Sequence, residues 1–245
     1  MKKAFVVGIN GKMGKMLCES ANSYGYEITG GYDVVQNPAY PTFSDERAVN
    51  VPIDVIIDFS RADNKIFDAF AYLAKDRHVP VVIATTGFCE KGLKRIADLA
   101  NVVPVFHSAN MSLGIAAAKA AAITAKSILG DGFDIEIVEK HHNQKVDSPS
   151  GTALLLADAL APRDNQVINR NGKRNAGELG ITSVRGGTVV GEHEIGFYGN
   201  DEVVTVTHSA YSRKLFAAGA FKAADFLLGA KVGLYNMDDL IKTLL

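Results

Sequence analysis

The sequence predicts an α/β protein: an N-terminal Rossmann-type parallel sheet domain, followed by a second α+β domain with a mixed sheet. Three observations carry this. Short, mainly apolar runs recur through the first half, at residues 4–8, 26–31, 55–59, 81–84 and 102–106, with helical patterns between them. Parallel strands covered on both faces read this way. The first run ends in Gly8-Ile-Asn-Gly11-Lys-Met-Gly14, a strand–turn–helix in G-x-x-G-x-x-G spacing, a variant of the dinucleotide fingerprint. Beyond residue 182 the strand-like runs follow one another with only short glycine turns, the style of a mixed or antiparallel sheet.

Each element follows in order. After Gly14, Met16, Leu17 and Ala21 lie at helical spacing. The strand at 26–31 leads to Asp33, about 20 residues past the last glycine, where an acid hydrogen-bonds an adenosine ribose. That carboxylate would repel a 2′-phosphate and favours NADH; Lys12 in the turn partly offsets the repulsion. Residues 37–52 hold three prolines and no periodicity, and read as a connection. Helices are expected at 62–75 and 91–99. Gly8, Asp33, Phe59, Thr85 and Asn110 all fall at carboxyl ends of strands, where ligands of such sheets sit.

In the second half, residues 114–129 form an alanine-rich run carrying Lys119 and Lys126, which reads as a buried helix and not as a membrane span. Residues 133–139 alternate as a half-buried strand that delivers the chain into His141-His142. Ser148-Pro149 is expected to cap a helix at 153–160. Residues 165–182 read as a polar loop, residues 183–190, 191–197 and 202–208 as strands, and 215–228 and 238–244 as helices. The last of these return to the first domain, so the expected domains are 1–112 with 213–245, and 113–212.

Bulk properties exclude several functions. The 245 residues carry 26 basic and 27 acidic side chains, a net charge of -1. No global field draws the chain to nucleic acid or to an anionic membrane. Cys18 and Cys89 stand alone, without disulfide or metal-ligand spacing, and are expected to be small buried residues. No signal sequence is visible, and a cytoplasmic location is expected.

The chemistry concentrates in residues 139–152, Glu-Lys-His-His-Asn-Gln-Lys-Val-Asp-Ser-Pro-Ser-Gly-Thr. Histidine exchanges protons near neutral pH. Lysine is a compact charge whose pKa falls when its surroundings demand it, and Lys140 is a candidate for that effect on Lys145. The amides opening a helix attract anions. Together these residues suit a site that holds an acidic substrate and protonates it. His78 and His107 lack such company and read as structural, and His193 and His208 as interface or core. Two rival readings remain. One is another nicotinamide dehydrogenase of the same layout, although no cysteine lies in the second half for a thiohemiacetal route. The other is a non-catalytic dinucleotide sensor, which would need the glycines but not the His-His-Lys cluster.

These residues resemble the dihydrodipicolinate reductase (4-hydroxy-tetrahydrodipicolinate reductase) family over nearly the whole chain. The most specific stretch is His141-His-Asn-Gln-Lys-Val-Asp-Ser-Pro-Ser-Gly-Thr-Ala153. Gly8-x-x-Gly-x-x-Gly14, Asp58-Phe59-Ser60, Thr85-Thr-Gly-Phe88, Ser108-Ala-Asn-Met-Ser-x-Gly114 and Val190-Gly-Glu-His193 fall in the same order. The resemblance implies hydride transfer from NADH or NADPH to a cyclic dicarboxylate in lysine biosynthesis. It implies catalytic roles for His141 and Lys145, and substrate contacts from His142, Gly151 and Thr152. Cofactor contacts are implied for Gly8, Ile9, Asn10, Gly11, Lys12, Met13, Asp33, Ala84, Thr85, Thr86, Ser108, Ala109, Asn110 and Met111, to which the strand-end position adds Phe59. It further implies a homotetramer assembled through the sheet of the second domain. Ala84 departs from the family's common glycine, Ser148 from its common alanine, and the chain is short between Asp33 and Val55, beside the adenosine pocket.

Overall fold

The computed structural model describes residues 1–244. The chain divides into two compact units, one of Met1–Ser112 together with the residues from Lys214 on, the other of Leu113–Arg213.

Unit 1 is built on a seven-stranded sheet. Its strands are β1 (Lys2–Val7), β2 (Tyr26–Tyr32), β3 (Thr42–Phe43), β4 (Val55–Asp58), β5 (Val81–Ile83), β6 (Pro104–His107) and, from the end of the chain, β12 (Gly233–Tyr235). The order is β12-β6-β5-β4-β1-β2-β3 and every pairing is parallel. The chain reverses its direction of travel across the sheet between β1 and β4, the switch point of a doubly wound fold. Helices α1 (Lys12–Ser20), α2 (Asn64–Arg77), α3 (Glu90–Leu99), α6 (Lys214–Leu228) and α7 (Met237–Lys242) belong to this unit. The core takes Phe5, Val7 and Ile56 from the strands, and Phe67, Phe70 and Leu73 from α2. A different set anchors α6. Phe221 packs on Tyr26 with ring centroids 5.0 Å apart, and Asp225 accepts a 2.7 Å hydrogen bond from the Tyr26 hydroxyl.

Unit 2 holds α4 (Leu113–Leu129), β7 (Asp134–His141), α5 (Gly151–Leu160), β8 (Gln166–Ile168), β9 (Leu179–Arg185), β10 (Gly191–Tyr198) and β11 (Val203–Ala210). The sheet order is β11-β10-β7-β9-β8. β7, β8 and β9 run parallel, whereas β10 is antiparallel to both of its neighbours. The sheet is therefore mixed, as expected. Ile135, Ile137, Ile181, Ile195 and Phe197 meet Ala153, Leu156 and Leu160 of α5 and Ala122 of α4 in one core.

Several local expectations need correction. The polar stretch 165–182 contains β8 and the start of β9. Its arginines are tied inward: Arg170 pairs with Glu136 at 2.6 Å and with Glu178 at 3.2 Å, and Arg174 with Asp134 at 2.9 Å. β9 consequently starts at Leu179 and ends at Arg185, several residues before the expected strand. The α4 region, 113–132, is long and apolar enough to cross a membrane by length and composition, against the expectation that no stretch is. Nor is it a fully buried helix. Ile115, Ala116, Ala118 and Ala122 are buried, while Ile123 and Ile128 are exposed. The cysteines also differ from expectation: Cys89 is exposed, and Cys18 is half-buried, its thiol pushed up to about 11 by that burial.

Candidate active site

In unit 1 the candidate residues gather at strand ends. β1 hands over to Gly8, whose φ of +79° turns the chain, and the Gly11 amide donates to the Gly8 carbonyl at 3.0 Å. α1 begins one residue later with Gly11 at its N-cap and no side chain capping it. Its first-turn amides therefore face outward as an anion site. Gly14 is required by contact: a Cβ there would lie 2.2 Å from the Gly8 carbonyl oxygen. Asp33 follows β2 and is pinned to this turn, its carboxylate accepting from the Asn10 amide at 3.0 Å and the Val35 amide at 3.3 Å. Gly11 and Lys12 are exposed and Met13 half-buried. Ile9 and Met111 are buried, backbone included, and are not presented at the surface with the others.

Phe59 follows β4, Ala84, Thr85 and Thr86 follow β5, and Ser108, Ala109 and Asn110 follow β6. Asp58, which sequence reasoning passed over as a site residue, ends β4 almost fully buried. Its Oδ1 accepts from the Ser60 amide at 2.9 Å and from the Ser60 hydroxyl at 2.5 Å. Burial pushes its carboxyl up to about 6, against the Ser60 bonds. Asp58 Oδ2 and Thr85 Oγ1 are both buried at these adjacent strand ends, and the Thr85 hydroxyl, like Ser60, works to lower the Asp58 carboxyl. A glycine cradle, an uncapped helix start and a fixed acid at the second strand together fit a dinucleotide.

In unit 2 the period of β7 places every second side chain on the core face. Ile135, Ile137, Glu139 and His141 are buried; Glu136, Val138 and Lys140 take the other face. Lys140 pairs there with Glu192, so it is turned away from His141 and not set to act on Lys145. Glu139 is wholly buried and accepts four bonds. Arg185 donates to its two oxygens at 2.7 and 2.8 Å, the Ser150 amide donates at 3.0 Å, and His141 Nδ1 lies 2.5 Å away. Burial alone would push the Glu139 carboxyl up, but Arg185, Ser183, His141 and the Ser150 amide hold it down at about 2.

His141 is therefore the last residue of a strand, not the first of a loop. Burial lowers its pKa; Glu139 opposes this, and Lys145 and Arg185 add to it. Across the sheet stands Gly191, where a Cβ would come within 3.0 Å of His141 Nε2, so a glycine keeps that nitrogen clear. His142 is half-buried. The Lys145 amide donates to the His142 carbonyl at 3.1 Å, and Lys145 Nζ lies 2.8 Å from Asp147. Burial raises the Asp147 carboxyl, and Lys145 together with the Asp147 and Gly151 amides more than reverses that.

The N-cap of α5 is Ser150, not Ser148: its hydroxyl oxygen accepts from the Ala153 amide at 3.1 Å. The helix starts at Gly151, whose missing Cβ faces open space, with Thr152 half-buried beside it. Its first turn holds no acid, but the Asp147 carboxylate just before it accepts from the Gly151 amide, so the helix start already holds an anionic group. His193 is a core residue. Its Nε2 lies 3.1 Å from Ser150 Oγ and its ring 5.2 Å from that of His141; burial, then His141, push it down to about 4. A cavity of about 460 Å³, lined by Lys126, Asp134, Leu160, Arg174 and Glu178, contains none of these residues.

The five candidates His141, His142, Lys145, Gly151 and Thr152 thus share unit 2, and every cofactor candidate lies in unit 1. Glu139, Ser150, Arg185 and Gly191 had no place in the sequence reading as site residues. The parity of β7 was the available signal for Glu139, because it puts that residue on the face of Ile135 and Ile137. No sequence pattern signals Arg185.

Comparison with known proteins agrees with this layout. Residues 2–111 match the family described as dihydrodipicolinate reductase, N-terminus, and residues 114–241 its C-terminus. A 4-hydroxy-tetrahydrodipicolinate reductase of Clostridium novyi (strain NT) is 44% identical over 252 residues, covering 99% of each chain. One of Caldanaerobacter subterraneus subsp. tengcongensis is 45% identical over 254 residues, again covering 99% of each. The fold is that of the dipicolinate-bound dihydrodipicolinate reductase of Paenisporosarcina sp. TG-14, with a TM-score of 0.81, 24% identity and coverage of 98% of this chain and 99% of that one. On both matched halves and these full-length relatives, the chain belongs to the dihydrodipicolinate reductase family, oxidoreductases of lysine and diaminopimelate biosynthesis.

Proposed function

We propose that this family member reduces 4-hydroxy-tetrahydrodipicolinate with the residues described above: unit 1 binds NADH or NADPH, and unit 2 holds the dicarboxylate and supplies the proton. The carrying observation is the convergence of a carboxylate-held imidazole, a lysine ammonium and a helix start that already holds the Asp147 carboxylate, within residues 139–152. A bound nicotinamide supplies a hydride. The chain's own part is to quench the negative charge that hydride addition leaves on a conjugated ring. His141 presents Nε2 as the exchangeable site. The Lys145 ammonium stabilises the developing anion or protonates it. The Gly151 and Thr152 amides take one substrate carboxylate at the α5 start, and His142 contacts the substrate beside them. A steady-state assay on the product of the preceding synthase, with each cofactor in turn, tests this; oxidation of neither sinks it.

Asp33 sets the cofactor preference in this reading, with NADH favoured. Asp33→Ala is expected to raise KM for NADH while narrowing or reversing discrimination against NADPH, as read from kcat/KM with both cofactors. An unchanged ratio would remove Asp33 from the adenosine site. Unit 1 is accordingly read as the dinucleotide-binding domain, unit 2 as the substrate and assembly domain, and the enzyme as cytoplasmic. The face of the unit 2 sheet that carries Val138, Val184, Tyr198 and Val203 lies away from the core, and the last three of these are exposed. That apolar face supports assembly through the sheet. Light scattering is expected to give the mass of four chains; a monomer mass rejects it.

A further inference from the structure

We infer that Glu139 is the positioning residue of the site, one carboxylate fixing both the tautomer of His141 and the start of α5, with Arg185 as its counter-ion. The inference rests on the reading of His141 as acid/base and deepens it.

Stability does not account for a charge at this place. The core face of β7 is apolar up to Ile137 and then turns to Glu139, with no exposure to solvent. Buried ion pairs are weak stabilisers, because desolvation offsets most of their attraction. What the carboxylate does is geometric. Its Oε2 meets His141 Nδ1 at 2.5 Å and Arg185 Nη1 at 2.8 Å; its Oε1 takes the Ser150 amide at 3.0 Å and Arg185 Nη2 at 2.7 Å. An ionised carboxylate only accepts, so His141 Nδ1 carries a hydrogen and the exchangeable position is Nε2. That is the nitrogen opposite Gly191. The same carboxylate, through the N-cap residue Ser150, locates the Gly151 and Thr152 amides relative to that imidazole.

The charged and titratable groups around His141 are few. Glu139 lies on its own strand, Arg185 on β9, His193 on β10 and Lys145 in the loop before α5. Of these only Glu139 raises the proton affinity of His141. His193, its Nε2 engaged by Ser150 Oγ, supports the cap from the far side and is no rival proton donor.

The test is Glu139→Gln in the full-length enzyme, assayed across pH with melting curves as a check on folding. The amide keeps the shape and loses the charge. The expected result is a fall in kcat of about 10²–10⁴-fold and a several-fold rise in the dicarboxylate KM, with cofactor affinity unchanged. The limb on which activity falls with rising pH should move to lower pH, because the group that raised His141 is gone. A merely structural carboxylate would not move that limb. Glu139→Gln with Arg185→Gln removes both charges, and serves if the single variant strands the guanidinium and fails to fold. In a His141→Gln background, Glu139→Gln should lower kcat no further. An inactive His141→Gln beside a folded Glu139→Gln with wild-type kcat and limb overturns this inference alone. A second full loss of kcat in the double variant also overturns it. Wild-type turnover by His141→Gln sinks the acid/base reading together with this one.

Discussion

His141→Gln is expected to lower kcat by about 10²–10⁴-fold, the usual worth of a positioned acid or base, with nearly unchanged cofactor affinity. Glutamine spans a similar volume, so the site stays filled. It carries no proton that it can release near neutral pH. The cofactor candidates all belong to unit 1, so binding of NADH, read by fluorescence titration, should not follow the loss in turnover. The variant should also remain folded, since Arg185 and the Ser150 amide still hold Glu139. Turnover within tenfold of wild type would remove His141 from the chemistry.

Lys145→Ala is expected to reduce kcat/KM for the dicarboxylate by about 10²–10³-fold, the scale of losing one donor to a developing anion. Lys145 sits 2.8 Å from Asp147 with only 21% of its side chain exposed, so its ammonium is partly desolvated and already oriented. If it only holds a substrate carboxylate, KM rises and kcat stays; if it also serves the anion or gives the proton, kcat falls too. Both are expected to change. The substitution also leaves Asp147 without the ammonium that keeps its carboxyl low, so a repulsive charge remains where a dicarboxylate must sit. The double change Lys145→Ala with Asp147→Asn should recover part of the KM loss and none of the kcat loss. Steady-state kinetics that show neither parameter altered in Lys145→Ala reject its role.

Much of unit 1 was legible because its strands are buried on both faces. The runs at β1, β4, β5 and β6 are mainly apolar, β2 is interrupted only by Glu27 and Thr29, and no helix period competes with them. The short edges escaped: β12 is Gly233–Tyr235 and β3 is Thr42–Phe43, too brief for any periodicity to show. β9 was misplaced because Gly180 reads as a loop residue. In the structure that glycine lies under the Glu136–Arg170 pair, and a Cβ on it would strike the Glu136 carboxylate. The reactive cluster was legible as a cluster, since the residue types and the helix start lie within fourteen positions. Its support was not. Arg185 comes from β9 and Gly191 from β10, 46 residues from Glu139 in the first case, and only the pairing of β7 with both strands brings them together. Parity alone would have exposed Glu139, had a charge on the core face been taken as meaningful.

Unit 1 is discontinuous in sequence, and this has a consequence for synthesis. A ribosome releases residues 1–112 first, then all of unit 2, and only afterwards α6 and β12. Until then the outer edge of β6 has no strand beside it, and Tyr26 lacks Phe221 and Asp225. Unpaired strand edges and uncovered aromatic surface invite association with other chains. The emerging polypeptide thus carries this unpaired edge and uncovered ring while unit 2 is translated, and α6 and β12 then close them.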